Sequence, residues 1–303
     1  MKSKKIFLWL AVSFLLILSL GYGLSRFYKF VNQKKWYQTR KKIFLKLQRN
    51  LQEDIQNVPF RYAILIKDFS TGYKFAYNEE MPLPAASLLK VPIMACVYCA
   101  NEAKKIDVRS KVVVKDSYRT AGSGILKNLS GENTFEVEEL VRLMIAYSDN
   151  TATNVIIDLL GFDYLNNCFK NLGLESTFIS RKILDRQAKK EGKENYTSAE
   201  DVGYILEKIY KGELINKEVS GRCLEFLKEQ KIADRIPRLL PADVKVAHKT
   251  GLENGLCHDA GIIFSQNGDF LICVLTQHKF KTAYPAKHFI SKIAYDLYYT
   301  FNK

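Results

Sequence analysis

A chain of 303 residues, 47% hydrophobic and 26% charged, can bury a core of its own and shows no tandem repeat or low-complexity tract, which excludes fibrous and disordered classes. Its formal net charge of +14 is unevenly spread: eleven of the 46 basic residues fall within residues 1–46, which hold no Asp or Glu, leaving 35 basic against 32 acidic residues beyond. The basicity belongs to an N-terminal stem, which argues against a nucleic-acid-binding domain, since that would need a basic face of its own.

The stem begins with a short basic N-terminus (1–5), followed by an unbroken apolar stretch from Ile6 to Leu24. Nineteen residues rise roughly 28 Å as a helix, close to the hydrocarbon thickness of a bilayer. No small-x-small cleavage site follows, so an uncleaved, single-pass signal anchor is expected over 6–24. Residues 25–58 read as a basic juxtamembrane stem, with an amphipathic helix from Trp36 to about Val58. Arg26, Lys29, Lys34, Lys35, Arg40, Lys41 and Lys42 outnumber the N-terminal lysines, which by charge alone favours a cytoplasmic C-terminal side. The chemistry reached below has its substrates outside the membrane, and the extracytoplasmic side of a bacterial cell membrane is expected on that ground.

Residues 59–303 read as one unit with two lobes. Strands are predicted over 61–66 and 73–77, joined through Gly72 as a hairpin. Helices are predicted over 88–103, 137–147, 151–160, 164–172 and 199–211, with Gly161 and Gly173 where helix C-caps belong. Strands return over 244–249, 261–265 and 270–276, before a last helix from about Ala286 to Tyr299. This is an α+β pattern: one antiparallel sheet built from both chain ends, an inserted helical lobe, and a cleft between them.

Six cysteines (Cys96, Cys99, Cys168, Cys223, Cys257, Cys273) have neither a disulfide framework nor zinc spacing. Cys96 and Cys99 form a C-x-x-C inside an apolar helical run and are expected as buried thiols. His248, His258, His278 and His288 lack metal-ligand spacing, so no metal or cofactor is expected, and packing or surface roles are assigned to all four.

Three short patterns occur in a fixed order: Ser87-x-x-Lys90 at a loop-to-helix boundary, Ser148-Asp149-Asn150 between two helices, and Lys249-Thr250-Gly251 ending a strand. Singly, they read as a helix cap, another cap and a strand end. Jointly, they describe a nucleophile with a built site. A serine opening a helix and a lysine three residues on share one face. A serine hydroxyl needs a base in contact, and a lysine desolvated among other cations can lose its proton near neutrality and serve. Ser148 can relay a proton to a leaving nitrogen, Lys249 can hold positive charge beside it, and Asn150 can bond a substrate amide. Thr250 can receive a substrate carboxylate, and the backbone N–H groups of Ser87 and Leu252, the latter just beyond Gly251, can stabilise an oxyanion. Asp149 is expected to orient the Ser148 turn.

With these motifs, and with GSGIL (122–126), EELVRLMIAYSDNTATNVIIDLLG (138–161) and AHKTG followed by HDAGII, the chain resembles the class A β-lactamase family from about residue 60 to 300. The resemblance implies a β-lactamase/transpeptidase-like fold with Ser87 acylated, Lys90 as its partner, and Ser148, Asn150, Lys249 and Thr250 as the second and third motifs. Two departures stand out. Ala188 falls where the family's loop glutamate activates the deacylating water; Glu191 and Glu194 are the nearby alternatives, read here as solvated loop charges. The strand HDAGIIF lacks the arginine that often helps bind a substrate carboxylate, a role for which Lys279 and Lys281 are the available substitutes.

The expected activity is therefore acylation by a β-lactam with slow deacylation, by a monomer bound to the membrane through its N-terminal helix. A D,D-peptidase acting on peptidoglycan stem peptides uses the same trio, and a non-turnover penicillin sensor is the third reading.

Overall fold

The computed structural model describes residues 2–56 and 58–302, with side chains described at Trp9 and from Ser19 onward. The chain divides into two compact units, Met1–Arg49 and Asn50–Lys303. The predicted anchor and amphipathic helix are one continuous helix, α1 (Lys2–Ile55), whose 54 residues contain no proline. Most of the expected anchor at 6–24 lies outside the described side chains; among the described residues no helix is long and apolar enough to cross a membrane.

In the second unit, β1 (Arg61–Asp68) and β2 (Lys74–Tyr77) form the predicted hairpin, followed by β3 (Leu83–Pro84), a single 3-10 turn over Ala86–Leu89, and α2 (Lys90–Glu102). Next come β4 (Lys111–Val114), β5 (Asn133–Glu136), α3 (Val137–Ala146), α4 (Asn150–Leu160), α5 (Phe162–Asn171) and α6 (Arg186–Lys190). The chain continues through β6 (Tyr196–Thr197), α7 (Ala199–Lys211), α8 (Lys217–Lys228), β7 (Val246–Glu253), β8 (Leu256–Ile263), β9 (Phe270–Gln277) and α9 (Tyr284–Phe301).

One antiparallel sheet, ordered β2-β1-β9-β8-β7, joins the two ends of the second unit, as the sequence pattern implies. It is covered on both faces, which is why β8 and β9 are almost wholly buried and lack alternation. One face meets α7: a Cβ on Gly203 would fall 2.4 Å from a Leu65 methyl, so glycine lets the helix and the sheet meet closely here without displacing that side chain. Phe270 on the other face packs its ring 4.8 Å from Phe301 of α9. Strand β7 is left as an edge beside the helical lobe, and an antiparallel edge presents alternate N–H groups outward.

The short strands β3, β4, β5 and β6 and the helices α6 and α8 are not expected from the sequence, and two further features differ from it. Helix α8 escapes it because its buried stripe is Ser220, Cys223, Phe226 and Leu227, too short of large apolar residues to stand out. Strand β7 runs on through Gly251 to Glu253, and the chain reverses at Gly255 (φ +74°) instead. Cys96 and Cys168 are joined in a disulfide between α2 and α5, with Cα atoms 5.9 Å apart, and are not thiols.

Candidate active site

Ser87 sits in the 3-10 turn that leads into α2 and lines a small cleft of about 100 Å³. Ala86 before it has φ +44°, and Ser148 (φ +53°) and Leu184 (φ +61°), two more residues of the cleft and its floor, are also left-handed. Each such conformation costs on the order of 1–3 kcal/mol in a non-glycine residue and persists only where packing enforces it, a pattern typical of functional sites. Among the described residues the Ser87 hydroxyl has no hydrogen-bond partner.

Behind Ser87 lies a buried polar layer that unites the three motifs. Lys90 Nζ donates to the Ser148 carbonyl (2.7 Å) and to Asn150 Oδ1 (2.9 Å), and lies 3.2 Å from Ser148 Oγ. Lys249 Nζ donates to the same Ser148 Oγ (2.9 Å) and to the Thr250 carbonyl (2.8 Å). The Ser148 hydroxyl thus bridges two lysines, both with no solvent exposure. Burial pushes Lys90 down to about 7, against the opposing pull of Asp149. Lys249 is held well below the ordinary lysine value, first by burial and then by the Lys90 charge, with Asp259 opposing.

The second motif is held from below by Asp149. It caps α4 by accepting from Ala152 N (2.9 Å), and its other oxygen accepts from Ile125 N (2.7 Å) and Leu126 N (2.9 Å). This explains the GSGIL stretch: Gly124 has φ +112°, and a Cβ there would lie 2.3 Å from the Asp149 carboxylate. Gly124→Ala is expected to destabilise the domain by about 2 kcal/mol or more, read as a lowered Tm. An unchanged Tm would show that Asp149 does not need this contact.

The third motif meets the first through Gly251, where a Cβ would press on His258 (3.1 Å) and on the Ala86 Cβ (3.4 Å). His258 is fully buried: its Nδ1 accepts from Thr276 N (3.0 Å), so the proton is on Nε2, which donates to the Pro84 carbonyl (2.9 Å). Burial lowers its pKa to about 4, so it stays neutral and fixes the segment leading to Ser87.

Of the predicted residues, Ser87, Asn150 and Leu252 line the cleft. Lys90, Ser148, Lys249, Thr250 and Gly251 form the buried layer behind and beside it. Asn150 also donates to the Ala121 carbonyl (2.9 Å).

Several residues of the cleft escaped the sequence reading: Arg181, Asn195 and Glu253 also line it. Arg181 bonds Glu194 (2.6 Å) and Glu253 (3.3 Å), and Lys189 pairs with Glu194 (3.1 Å) and Glu253. Glu194 is thus an ion-paired, largely buried group and not a solvated loop charge. Burial favours its neutral form, but the Asn195 N–H and the Arg181 cation outweigh this and lower its pKa. Glu191 is exposed and paired within its own loop, and Ala188 is buried on α6 without lining the cleft.

Strand β8 carries no arginine, and Lys279 and Lys281 are exposed and do not line the cleft. The buried cation beside the third motif is Arg235, whose Nε donates to Cys257 Sγ (3.2 Å) and whose charge helps depress Lys249. It lies in the loop after α8, outside all three motifs.

A family model described as the "Beta-lactamase enzyme family" matches residues 46–301. The β-lactamase SME-1 of Serratia marcescens is 26% identical over 240 residues, covering 77% of this chain and 80% of that protein. Among solved structures, a β-lactamase from Sphaerobacter thermophilus is 28% identical with a TM-score of 0.74, over 80% of this chain and 91% of the other. PBP-A is 25% identical with a TM-score of 0.77, over 85% and 96%.

Proposed function

The chain belongs to the beta-lactamase enzyme family, and from that premise we propose that it is a serine hydrolase that opens β-lactam amide bonds by acylating Ser87 and releases the acyl group slowly. The observation that carries this reading is the Lys90–Ser148–Lys249 chain, buried directly behind a serine whose hydroxyl is unengaged. Lys90, about half of it free base at pH 7 with a pKa of about 7, takes the Ser87 proton in that neutral form as the oxygen attacks the amide carbonyl. The backbone N–H groups of Ser87 and Leu252 hold the oxyanion. Ser148 passes a proton from the lysine side to the leaving nitrogen, and the C–N bond breaks to leave the ester on Ser87. Asn150 binds the acyl-side amide, while Thr250 and the Arg235 cation attract the substrate carboxylate.

Slow release follows from the carboxylates available. Glu253 lines the cleft but is tied to Arg181 and Lys189, Glu194 is tied to the same two cations, and position 188 is an alanine. No carboxylate among the described cleft residues is free to activate water. Intact mass spectrometry after mixing with benzylpenicillin is expected to give one adduct per chain that outlasts many acylation half-times, and none in Ser87→Ala. Rapid turnover without an accumulating adduct would refute slow release; the absence of any adduct would refute acylation.

The same lack of a free carboxylate favours a second reading, a D,D-peptidase acting on peptidoglycan stem peptides. Release of D-alanine from a peptide, set against turnover of a chromogenic cephalosporin, separates the two.

We further infer that the catalytic unit is extracytoplasmic and tethered by the apolar segment at 6–24. Disulfides persist in oxidising compartments, which fits the Cys96–Cys168 bond.

A further inference from the structure

A second cavity, of about 510 Å³, adjoins the Ser87 cleft. Ile183 and Leu184 line both, so the two spaces share one wall. Leu184, left-handed and partly exposed, reaches over the backbone at Gly122, where a Cβ would come within 3.1 Å of it. Asn150, on the cleft side, donates to Ala121, which lines the second cavity.

Three cations, Arg119, Lys182 and Arg186, line this cavity. Arg119 donates from Nη2 to the Gly131 carbonyl (2.9 Å), but its Nε and Nη1 are buried with no hydrogen-bond partner among the described residues. Its Nε is ion-paired with Asp116 at 3.7 Å. Lys182 is paired with Asp158 (2.7 Å), and Arg186 is exposed with no ion pair among the described residues. The carboxylate in the lining, Asp185, is engaged in capping α6 through Ala188 N (2.9 Å). Arg186 and Lys182 present their charged groups at the solvent-accessible side of this cavity, and Arg119 adds charge from within its wall.

We propose that this cavity is a subsite for an anionic group carried on the acyl side of the substrate. A substrate whose amide is held at Asn150 directs its acyl substituent along residues 121–123, past Leu184, toward Arg119 and Arg186. The inference rests on acylation of Ser87 as proposed above, and it deepens that reading by naming the substrate class: acyl donors bearing a carboxylate beyond the amide. Such a carboxylate can come from a β-lactam side chain or from an acidic residue of a stem peptide.

The test compares second-order acylation constants for benzylpenicillin and its α-carboxy analogue, by rapid-quench mass spectrometry at low ionic strength. A parallel pair of acyl-D-alanyl-D-alanine peptides differs only in a glutamate or glutamine before the terminal dipeptide. The anionic member is expected to react about five- to tenfold faster, with the ratio falling at high salt. In Lys182→Gln/Arg186→Gln the ratio is expected to fall toward one, and in Arg186→Glu below the wild-type value; both sites are solvent-accessible, and a melting curve checks folding. A preference confined to the peptides identifies the stem peptide as the source. Parity in both pairs, or a preference kept by the double variant, overturns the subsite while leaving acylation intact. No adduct on Ser87 from any probe removes the acylation reading and the subsite with it.

Discussion

Lys90→Met should slow the acylation of Ser87 by benzylpenicillin about a thousandfold, the range in which a positioned general base acts. Methionine nearly matches the volume of the lysine stem and removes only the amine, in a site with no solvent to replace it. The Ser148 carbonyl and Asn150 Oδ1 lose their donor, while a desolvated cation site disappears, so the fold should survive. The pH profile gives an independent check. With Lys90 near 7, the free base grows as pH rises, so wild-type acylation should climb through pH 7 and then level off. The variant should lose that rise. The same shift has a stability consequence of fixed sign. The unfolded lysine keeps its proton up to roughly pH 10, so this group weakens the fold most below pH 7, and its penalty fades as pH rises between the two values. A Lys90→Met protein acylated at the wild-type rate would remove Lys90 from the mechanism.

Where the sequence is legible, it is so because local spacing translates directly into geometry. Ser87 and Lys90 are three apart at a helix start, and Asp149, next to Ser148, caps the helix that begins at Asn150, so each motif positions itself. The sheet is legible because its hairpin and its three last strands are apolar runs broken by turn residues. The rest depends on contacts between distant segments. Arg235 reaches the third motif from a loop with no pattern of its own, and Arg181 and Glu253 meet across 72 positions of sequence. Gly124 carries no chemistry, and its reason for being glycine emerges only when Asp149 is seen to fill the space a side chain would need. Strand β7 outruns its expected end because a glycine at 251 resembles a strand terminator. Its smallness serves instead to let His258 and Ala86 close on the strand.

Cys168→Ala should cost about 4 kcal/mol of stability, a larger loss than that expected of Gly124→Ala. The Cys96–Cys168 bond closes a loop of 72 positions, and a cross-link of that length removes about 4 kcal/mol of chain entropy from the unfolded state. At roughly 2–4 °C per kcal/mol for a domain of this size, Tm should fall by about 10 °C. Dithiothreitol should lower the Tm of the wild type toward that of Cys168→Ala and leave the variant where it is. Cys99→Ser, which alters a free and partly exposed thiol in the same helix, should change little. An equal Tm for wild type and Cys168→Ala, or alkylation of Cys96 in the unfolded, unreduced protein, would show that the bond does not form. The cross-link also bears on the chemistry. It ties α5 to α2, and α2 begins with Lys90, so loosening it frees the helix that carries the base. The acylation rate at temperatures near the lowered Tm should therefore fall before the fold is lost, and should recover on cooling.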